Sequence, residues 1–492
     1  MGRVRPLTWT LALAAASVLL TAPARAEGPL DAYYAQQLTW STCGSGQCAT
    51  LTVPRDYANP SAGDLHLSLT RIPHTSSTRQ GSLVVNPGGP GVAGADFAST
   101  VAMEIAPAVA SEFDIVGFDP RGTGRSAPVT CLTDEETARW VDADPTPDTA
   151  REVSALMRLA RTIPAGCLAL SPDVAPAIGT ENTVRDLDIL RSALGDPALN
   201  YLGFSYGTAL GAQYAERFPS TVGRMVLDGA VDPSLDGMAI SKAQSAGFQD
   251  AIRRFAADCA KHASCGLGRT SGQVLAGINA LLARLDRHPM PTHAGTPLLQ
   301  SQAVAAIFGS LYSKDAWPAL QSALHTAVHN DGTDLQQIAY AESDRTGPTS
   351  FASNFTSAFY AIACWDDPAT PNAAGLAKAA SSWAKGAAVP ELARAMSWGN
   401  APCSVWFGHS AAKPAPVHST TAVPILIVGT THDPATPYRW AQALARQLPT
   451  STLVTFEGDG HTAYGNPSRC LQSALDGYLL TGAVPAPGLR CR

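Results

Sequence analysis

The chain has 492 residues, of which 45% are hydrophobic and 15% charged, and its formal net charge is −6. This composition supplies enough apolar side chains for a packed core and excludes a disordered chain. The acidic excess argues against a surface that neutralises phosphates, so no nucleic-acid partner is expected. At roughly 150 residues per domain, the length fits about three domains, or one large domain that carries an insertion.

The N-terminal segment has the pattern of a secretory signal peptide. Arg3 and Arg5 precede an apolar run over residues 7–22, and Ala24 and Ala26 have the spacing of a signal-peptidase site. The run is shorter than the ~20 residues that cross a bilayer. We therefore expect residues 1–26 to be removed near Ala26 and the protein to be secreted or periplasmic, with an uncleaved membrane anchor as the alternative. No later apolar stretch reaches spanning length, so stable membrane insertion is not expected.

Ten cysteines follow this segment, an even number that suits an oxidising compartment. None of them forms a C-x-x-C pair, so a metal site is not favoured. Sequence alone leaves the connectivity open. Our prediction pairs each cysteine with its neighbour along the chain: Cys43 with Cys48, Cys131 with Cys167, Cys259 with Cys265, Cys364 with Cys403, and Cys470 with Cys491.

Short apolar runs alternate with helical patterns over much of the chain. The spacing predicts helices over residues 180–194, with Thr180 as the N-cap, 208–217 and 467–480. Such alternation is typical of an α/β fold with a mainly parallel sheet and helices on both faces. The predicted strands lie at residues 83–85, 113–118, 200–202, 225–227, 424–428 and 453–456.

The pattern changes between residues 235 and 415, where the sequence is alanine-rich and helical and shows no clear core strand. This stretch is too long for a loop inside a compact domain. We predict a helical cap inserted before the last strands. The predicted division is a signal peptide over 1–26, a first core part over 27–234, the cap over 235–415, and the C-terminal core part over 416–492.

The sharpest motif is G-x-S-x-G at residues 203–207, between a predicted strand and a predicted helix. A nucleophile on such a tight turn needs small neighbours two residues away, and the following helix directs N–H groups toward a developing oxyanion. The motif predicts Ser205 as the nucleophile of a serine hydrolase with an α/β-hydrolase fold.

A serine needs a base that is held by an acid, and in this fold the chain order is serine, acid, histidine. His461, in a glycine-rich loop between the last predicted strand and helix, is our predicted base. His432 is the main competitor, but it precedes the expected acid. His325 and His329, four residues apart on a helix, could hold a metal; without the glutamate of a zinc-protease motif we expect packing instead.

Asp433 is the predicted acid because it follows the penultimate predicted strand and precedes His461 by 28 residues. Asp228 and Asp232, which follow the strand at 225–227, are the alternatives.

An oxyanion hole needs two backbone N–H donors. One is expected from Tyr206, the residue after the nucleophile. The other is expected from the N-P-G-G-P-G loop at residues 86–91, with Gly89 favoured over Gly88.

These motifs resemble those of secreted bacterial α/β-hydrolases of the tripeptidyl-aminopeptidase-like group, relatives of prolyl aminopeptidase. Prolyl aminopeptidases usually have histidine where this chain has Asn86, and the difference fits the exported tripeptidyl branch. The resemblance implies serine exopeptidase action on peptide N-termini, without metal or cofactor, and a C-terminal segment typical of the group. It is carried by residues 86–91, 119–126, 201–208, 224–233 and 429–437.

A peptide with a free amine needs a carboxylate for its ammonium group. The candidates are Glu181, Asp366 and Asp367. A secreted carboxylic-ester hydrolase with the same triad is the alternative enzyme, and an inactive cell-surface or binding protein is the alternative from another class. Peptide substrates are the expected partners, and the sequence leaves the oligomeric state open.

Overall fold

The computed structural model describes residues 28–492, so the expected signal peptide and its cleavage site lie outside the described residues. Within residues 28–492, twelve strands are present: β1 Ser41–Cys43, β2 Gly46–Pro54, β3 Asp64–Ile72, β4 Ser82–Asn86, β5 Asp114–Phe118, β6 Leu199–Phe204, β7 Val222–Asp228, β8 Arg345–Gly347, β9 Ser350–Phe351, β10 Ile425–His432, β11 Thr452–Asp459 and β12 Arg490–Cys491.

Seventeen α-helices accompany these strands in the same described part of the chain. They are α1 Asp31–Tyr34, α2 Phe97–Glu104, α3 Pro107–Glu112, α4 Asp134–Val141, α5 Ala150–Leu170, α6 Thr180–Ala193, α7 Tyr206–Arg217, α8 Gly237–Cys259, α9 Ser271–Arg287, α10 Gln300–Ser310, α11 Trp317–Val328, α12 Thr333–Glu342, α13 Phe355–Asp366, α14 Ala373–Ala384, α15 Pro390–Trp398, α16 Arg439–Gln447 and α17 Arg469–Thr481.

Ten of the strands form one sheet, in the order β1-β2-β3-β5-β4-β6-β7-β10-β11-β12. The pairs from β1 to β5 are antiparallel, and all pairs from β5 through β12 are parallel. This is the α/β-hydrolase architecture that the sequence predicted. The carboxyl ends of β6, β7, β10 and β11 lie side by side, and loops at such ends form the sites of open parallel sheets.

The central strands are buried because helices cover both faces of the sheet. Every residue of β4 and of β5 is buried, as expected for parallel strands with two covered faces. One apolar cluster contains Val84 and Leu210, and a second on the other face contains Val85 and Leu475. The two clusters fix the central strands and therefore the loops that follow them.

The segment between β7 and β10 holds helices α8 to α15 and the small β8–β9 hairpin. It has an apolar core of its own, which includes Phe248 and Leu324. Helix α5, which comes earlier in the chain, packs Met157 against Leu376 of α14. We call α8 to α15 together with α4 and α5 the cap; the domain boundaries drawn from the sequence stay a prediction.

The five neighbouring cysteine pairs are all joined as disulfides, which confirms the predicted pairing. Helix α5 differs from expectation, since its 21 residues are long and apolar enough to cross a membrane. Its buried residues, among them Leu156, Ala160 and Ile163, pack inside the cap. Packing therefore accounts for the third of this apolar stretch that is buried.

Candidate active site

Ser205 occupies the single-residue turn between β6 and α7. Its backbone is strained, with φ of 54° and ψ of −124°, a conformation that a residue other than glycine adopts only where the surroundings enforce it. The Ser205 N–H donates to the carbonyl of Asp228 at 2.9 Å, which ties the turn to the end of β7. The arrangement is a nucleophile elbow, as the motif predicted.

The two glycines of the motif are required by close contacts. A Cβ on Gly203 would lie 2.5 Å from Cε1 of Tyr201, and a Cβ on Gly207 would lie 2.8 Å from Oδ1 of Asn86. Both distances are shorter than a carbon side chain tolerates. Residues larger than glycine at either position would displace the elbow.

His461 and Asp433 form a buried pair at the ends of β11 and β10. Nδ1 of His461 lies 2.9 Å and 3.0 Å from the two carboxylate oxygens of Asp433. An ionised carboxylate accepts, so Nδ1 carries the proton and Nε2 is left to accept one. Nε2 is buried and has no hydrogen-bond partner among residues 28–492, so this nitrogen can accept a proton.

The surroundings of His461 act on its pKa in opposite directions. Burial lowers the pKa, whereas the charge of Asp433 and its hydrogen bond raise it, and the net effect is a pKa above the ordinary 6.5. The carboxylate thus favours the protonated imidazolium over the neutral ring.

Ser205 and His461 both contact the C-terminal end of β7. Asp228 accepts the N–H of Ser205, and a Cβ on the next residue, Gly229, would lie 3.1 Å from Cε1 of His461. The three predicted triad members therefore converge at the carboxyl edge of β6, β7, β10 and β11.

The alternative acids have other tasks. The carboxylate of Asp228 accepts the N–H groups of Ala463 and Tyr464 at 2.7 to 3.0 Å, so it fixes the chain after His461. Burial raises the pKa of Asp228 to about 6. Asp232 accepts from Ser234 and Gln447. Neither carboxylate contacts the imidazole of His461.

The alternative histidines are also occupied elsewhere. His432 lies at the end of β10, where its Nδ1 is 2.9 Å from Asp250 of α8. The ring of His329 is 2.8 Å from the carbonyl of His325, at the end of α11. The structure places neither His432 nor this pair against Ser205.

Thr436 is a further residue of the site, and no sequence motif indicated it. Its hydroxyl donates to Asp433 at 2.9 Å and lies 3.2 Å from Nδ1 of His461. The backbone N–H groups of Ala435 and Thr436 donate to the same carboxylate. A threonine three residues after an aspartate is a common local hydrogen-bonding pattern. This spacing is the one signal in the sequence that could have identified Thr436 as a partner of Asp433.

The glycine loop after β4 lies against the elbow. A Cβ on Gly88 would lie 2.9 Å from the backbone nitrogen of Tyr206 and 3.0 Å from Cβ of Ser205. The N–H of Gly88 donates to Oδ1 of Asn86 at 3.0 Å. The N–H of Gly88 is therefore already used. This leaves the N–H of Gly89 as the better candidate for the second donor of an oxyanion hole, beside the N–H of Tyr206.

The three predicted amine-binding acids lie in different surroundings. Glu181 is a half-buried residue of α6 and pairs with Arg185 at 2.5 Å and Arg217 at 3.5 Å. Asp367 is buried and accepts from Thr370 and from the N–H of Ala369. Only Asp366 is joined to the elbow.

That connection runs through Thr180, which is the first residue of α6 and not its N-cap as predicted. The Thr180 hydroxyl donates to Asp366 at 2.5 Å and is 2.5 Å from the hydroxyl of Tyr206. Asp366, at the end of cap helix α13, also accepts the N–H of Thr180 and so satisfies a backbone donor at the N-terminus of α6. Burial raises the pKa of Asp366 to about 6.

Comparison with known proteins gives matches over nearly the whole chain. Serine protease Hip1 of Mycobacterium tuberculosis is 35% identical over 99% of this chain and 97% of the relative. A carboxylesterase B of the same species is 36% identical over 95% and 92%. Tripeptidyl aminopeptidase of Streptomyces coelicolor is 33% identical over 92% and 86%.

A family model described as TAP-like protein matches residues 387–491, which span the last part of the cap and the C-terminal part of the sheet with Asp433 and His461. The match and the relatives agree with the resemblance inferred from the motifs. The chain therefore belongs to the TAP-like family of α/β-hydrolases and is a serine hydrolase.

Proposed function

We propose that the protein is a secreted serine exopeptidase that hydrolyses peptides from a free N-terminus through Ser205, His461 and Asp433. The observation that carries the proposal is the pairing of His461 with Asp433 beside the Ser205 elbow. The relatives named serine protease and tripeptidyl aminopeptidase support peptide bonds as the target.

In the acylation step, Nε2 of His461 accepts the proton of the Ser205 hydroxyl while Oγ attacks the peptide carbonyl carbon. The N–H groups of Tyr206 and Gly89 donate to the oxyanion that forms. The bond to the leaving amine then breaks, and His461 gives its proton to that amine. Asp433 keeps Nδ1 protonated throughout and stabilises the imidazolium.

In the deacylation step, a water molecule replaces the leaving peptide. His461 takes a proton from this water, and the resulting hydroxide attacks the acyl carbon of the ester on Ser205. The ester bond breaks, and the proton returns to the serine oxygen. The short N-terminal fragment leaves as a carboxylic acid.

Asp366 is the proposed partner of the substrate's ammonium group. It is half-buried, unlike the buried Asp367, and Thr180 connects it to the residue that follows the nucleophile. Glu181 is less suited because Arg185 and Arg217 already neutralise it. An ammonium group at this place fixes how far along the substrate the scissile bond lies.

The test is cleavage of matched peptides with free and N-acetylated termini, with the products identified by mass. We expect one short fragment from each free-amine peptide and at least a tenfold lower rate after acetylation. Equal cleavage of the two peptides would contradict the exopeptidase proposal and leave a general serine hydrolase.

The second candidate function is carboxylic-ester hydrolysis, which the relative named carboxylesterase B favours. It uses the same triad and needs no counter-charge for an amine. Higher kcat/KM for small neutral esters than for all free-amine peptides would favour it. Failure of a fluorophosphonate probe to label Ser205 would instead support an inactive binding protein.

Export is supported by the five disulfides, since such bonds persist in oxidising compartments. We expect the exported protein to begin at Glu27 and to contain no free thiol. N-terminal sequencing and mass measurement before and after reduction test this. Ten free thiols, or an N-terminus at Met1, would contradict it.

A further inference from the structure

The cap touches the loop that carries His461. The carbonyl of Tyr312, just after α10, accepts the N–H of His461 at 2.7 Å. The ring of Tyr312 packs edge-on against the imidazole, with 5.3 Å between ring centres, and also contacts Phe248 of α8. One cap residue thus holds both the backbone and the ring of His461.

Two residues before His461, Asp459 is tied to the same part of the cap. Its carboxylate pairs with Arg254 of α8 and, at 3.5 Å, with Lys314, two residues after Tyr312. The Asp459 side chain is 9% exposed. Burial raises its pKa, but the two cations outweigh burial and hold the pKa below its usual range.

The loop from Asp459 to His461, between these two sets of cap contacts, is short and contains glycine. A Cβ on Gly460 would lie 3.0 Å from the carbonyl of Tyr312, so the backbone approaches the cap closely. The N–H of Gly460 reaches the carbonyl of His432 at 3.4 Å, and His432 pairs with Asp250 of α8. With Gly460 in it and Gly458 directly before it, the segment has little stiffness of its own.

We propose that Asp459 is a positioning residue, through which Arg254 and Lys314 of the cap hold the His461 loop where the imidazole can reach Ser205. This inference rests on the proposed role of His461 as the base. It assigns the cap a task in the chemical step itself, because a misplaced base lowers the rate for every substrate.

Asp459→Asn removes the charge but keeps the side-chain shape. It removes the counter-charge that Asp459 supplies to Arg254 and Lys314, so the attraction that holds the loop against these cations weakens. We expect kcat for a small neutral ester to fall about tenfold, with KM changed less than about twofold. Fluorophosphonate labelling of Ser205 should slow by a similar factor. Asp459→Glu should recover most of the loss.

Glu457→Gln is the matched control. Glu457 lies on the same strand and pairs with two arginines, Arg490 and Arg492, but both belong to the C-terminal segment and not to the cap. We expect normal kcat and normal labelling for this variant. A loss as large as that of Asp459→Asn would mean that general weakening of β11 explains both results and would overturn the proposal.

Salt gives a test that begins with the unaltered protein. The side chains of Arg254 and Lys314 are 38% and 58% exposed and line an open groove of about 590 Å³ with Asp459. Ions can therefore reach the two cations, and 1 M salt shortens the screening length to ~3 Å. We expect kcat of the unaltered protein for the neutral ester to fall with added salt, and Asp459→Asn to lose that dependence. Salt-independent kcat of the unaltered protein would overturn the proposal.

The outcomes separate this inference from the proposed function. If Asp459→Asn hydrolyses the ester at the normal rate and only its KM for peptides rises, the ion pairs shape the substrate pocket and the positioning role is wrong. If His461→Ala remains active, the proposed triad fails, and this inference fails with it.

Discussion

The sheet and the cap hold their functional side chains by different means. At the sheet, Ser205 and Asp433 are held by backbone N–H and carbonyl groups, and Asp433 is buried while Ser205 is half-buried. From the cap, Arg254 and Lys314 act through side-chain charges and Asp366 acts through Thr180. Tyr312 adds its ring and one backbone carbonyl. Buried backbone contacts are insensitive to salt and hard to vary, whereas side-chain contacts can be tuned. The sheet thus holds the proposed nucleophile and acid, whereas the cap reaches the His461 loop and the proposed amine site mostly through side chains.

The largest effect should come from the sheet. Ser205→Ala removes the nucleophile, so we expect turnover to fall on the order of 10⁴-fold or more. The elbow contacts involve the backbone of Ser205, and therefore the melting temperature should stay close to normal. Progress curves with an ester and a peptide, in material free of contaminating hydrolase, check this. Near-normal turnover by the folded variant would place the nucleophile elsewhere.

The two histidines that follow neighbouring strands should differ sharply. His461→Ala leaves no base next to Ser205, and we expect a loss of about 10³-fold or more. His432→Ala removes only the ion pair with Asp250, which is half-exposed, so a change below about threefold is expected. Steady-state kcat of both variants measures the difference. The opposite ranking would show that His432 is the base.

A cap substitution should affect one class of substrate only. Asp366→Asn removes the proposed counter-charge of the substrate amine, and leaving such a charge unpaired costs about 2–5 kcal/mol. We expect kcat/KM for free-amine peptides to fall roughly 30-fold or more, with a small neutral ester almost unaffected. Glu181→Gln is the matched control and should leave both substrates unchanged. Parallel loss for ester and peptide in Asp366→Asn would indicate that Asp366 only supports Tyr206 and α6.

The smallest effect concerns pH. The neutral form of His461 is the active base, and its pKa is raised, so activity should be lost as pH falls through a midpoint above 6.5. In Asp433→Asn the charge that raises this pKa is absent and burial, which lowers it, remains. The residual activity should therefore extend to lower pH. Profiles of kcat/KM for the ester measure both midpoints; an unchanged midpoint in the variant would contradict the pairing of Asp433 with His461.

The catalytic end of the sheet could be predicted because its signals are local. The G-x-S-x-G turn, the apolar strand before it and the helix after it are contiguous, and the predicted runs at 83–85 and 225–227 lie within β4 and β7. The antiparallel strands β2 and β3 were missed, although buried residues such as Leu51, Val53, Leu65 and Leu67 alternate with less buried ones. Their period-two pattern is short and has no motif beside it.

The cap contacts could not be predicted, because they join residues far apart in the chain. Tyr312 precedes His461 by well over a hundred residues and has no motif of its own. Asp366 was proposed as a candidate from composition and resemblance, but its connection to Tyr206 depends on where Thr180 begins α6. Such contacts follow from how the cap seats on the sheet, and no local pattern encodes that.

The disulfides have a consequence for how the chain matures. Every bond joins two cysteines that are consecutive along the sequence, and none encloses another cysteine. In a chain that enters an oxidising compartment N-terminus first, both cysteines of each native pair emerge before the first cysteine of the next pair. Oxidation in order of arrival then gives the native connectivity directly. Such a chain has little need of an isomerase to reshuffle its cross-links, and its yield on export should depend on the supply of oxidant.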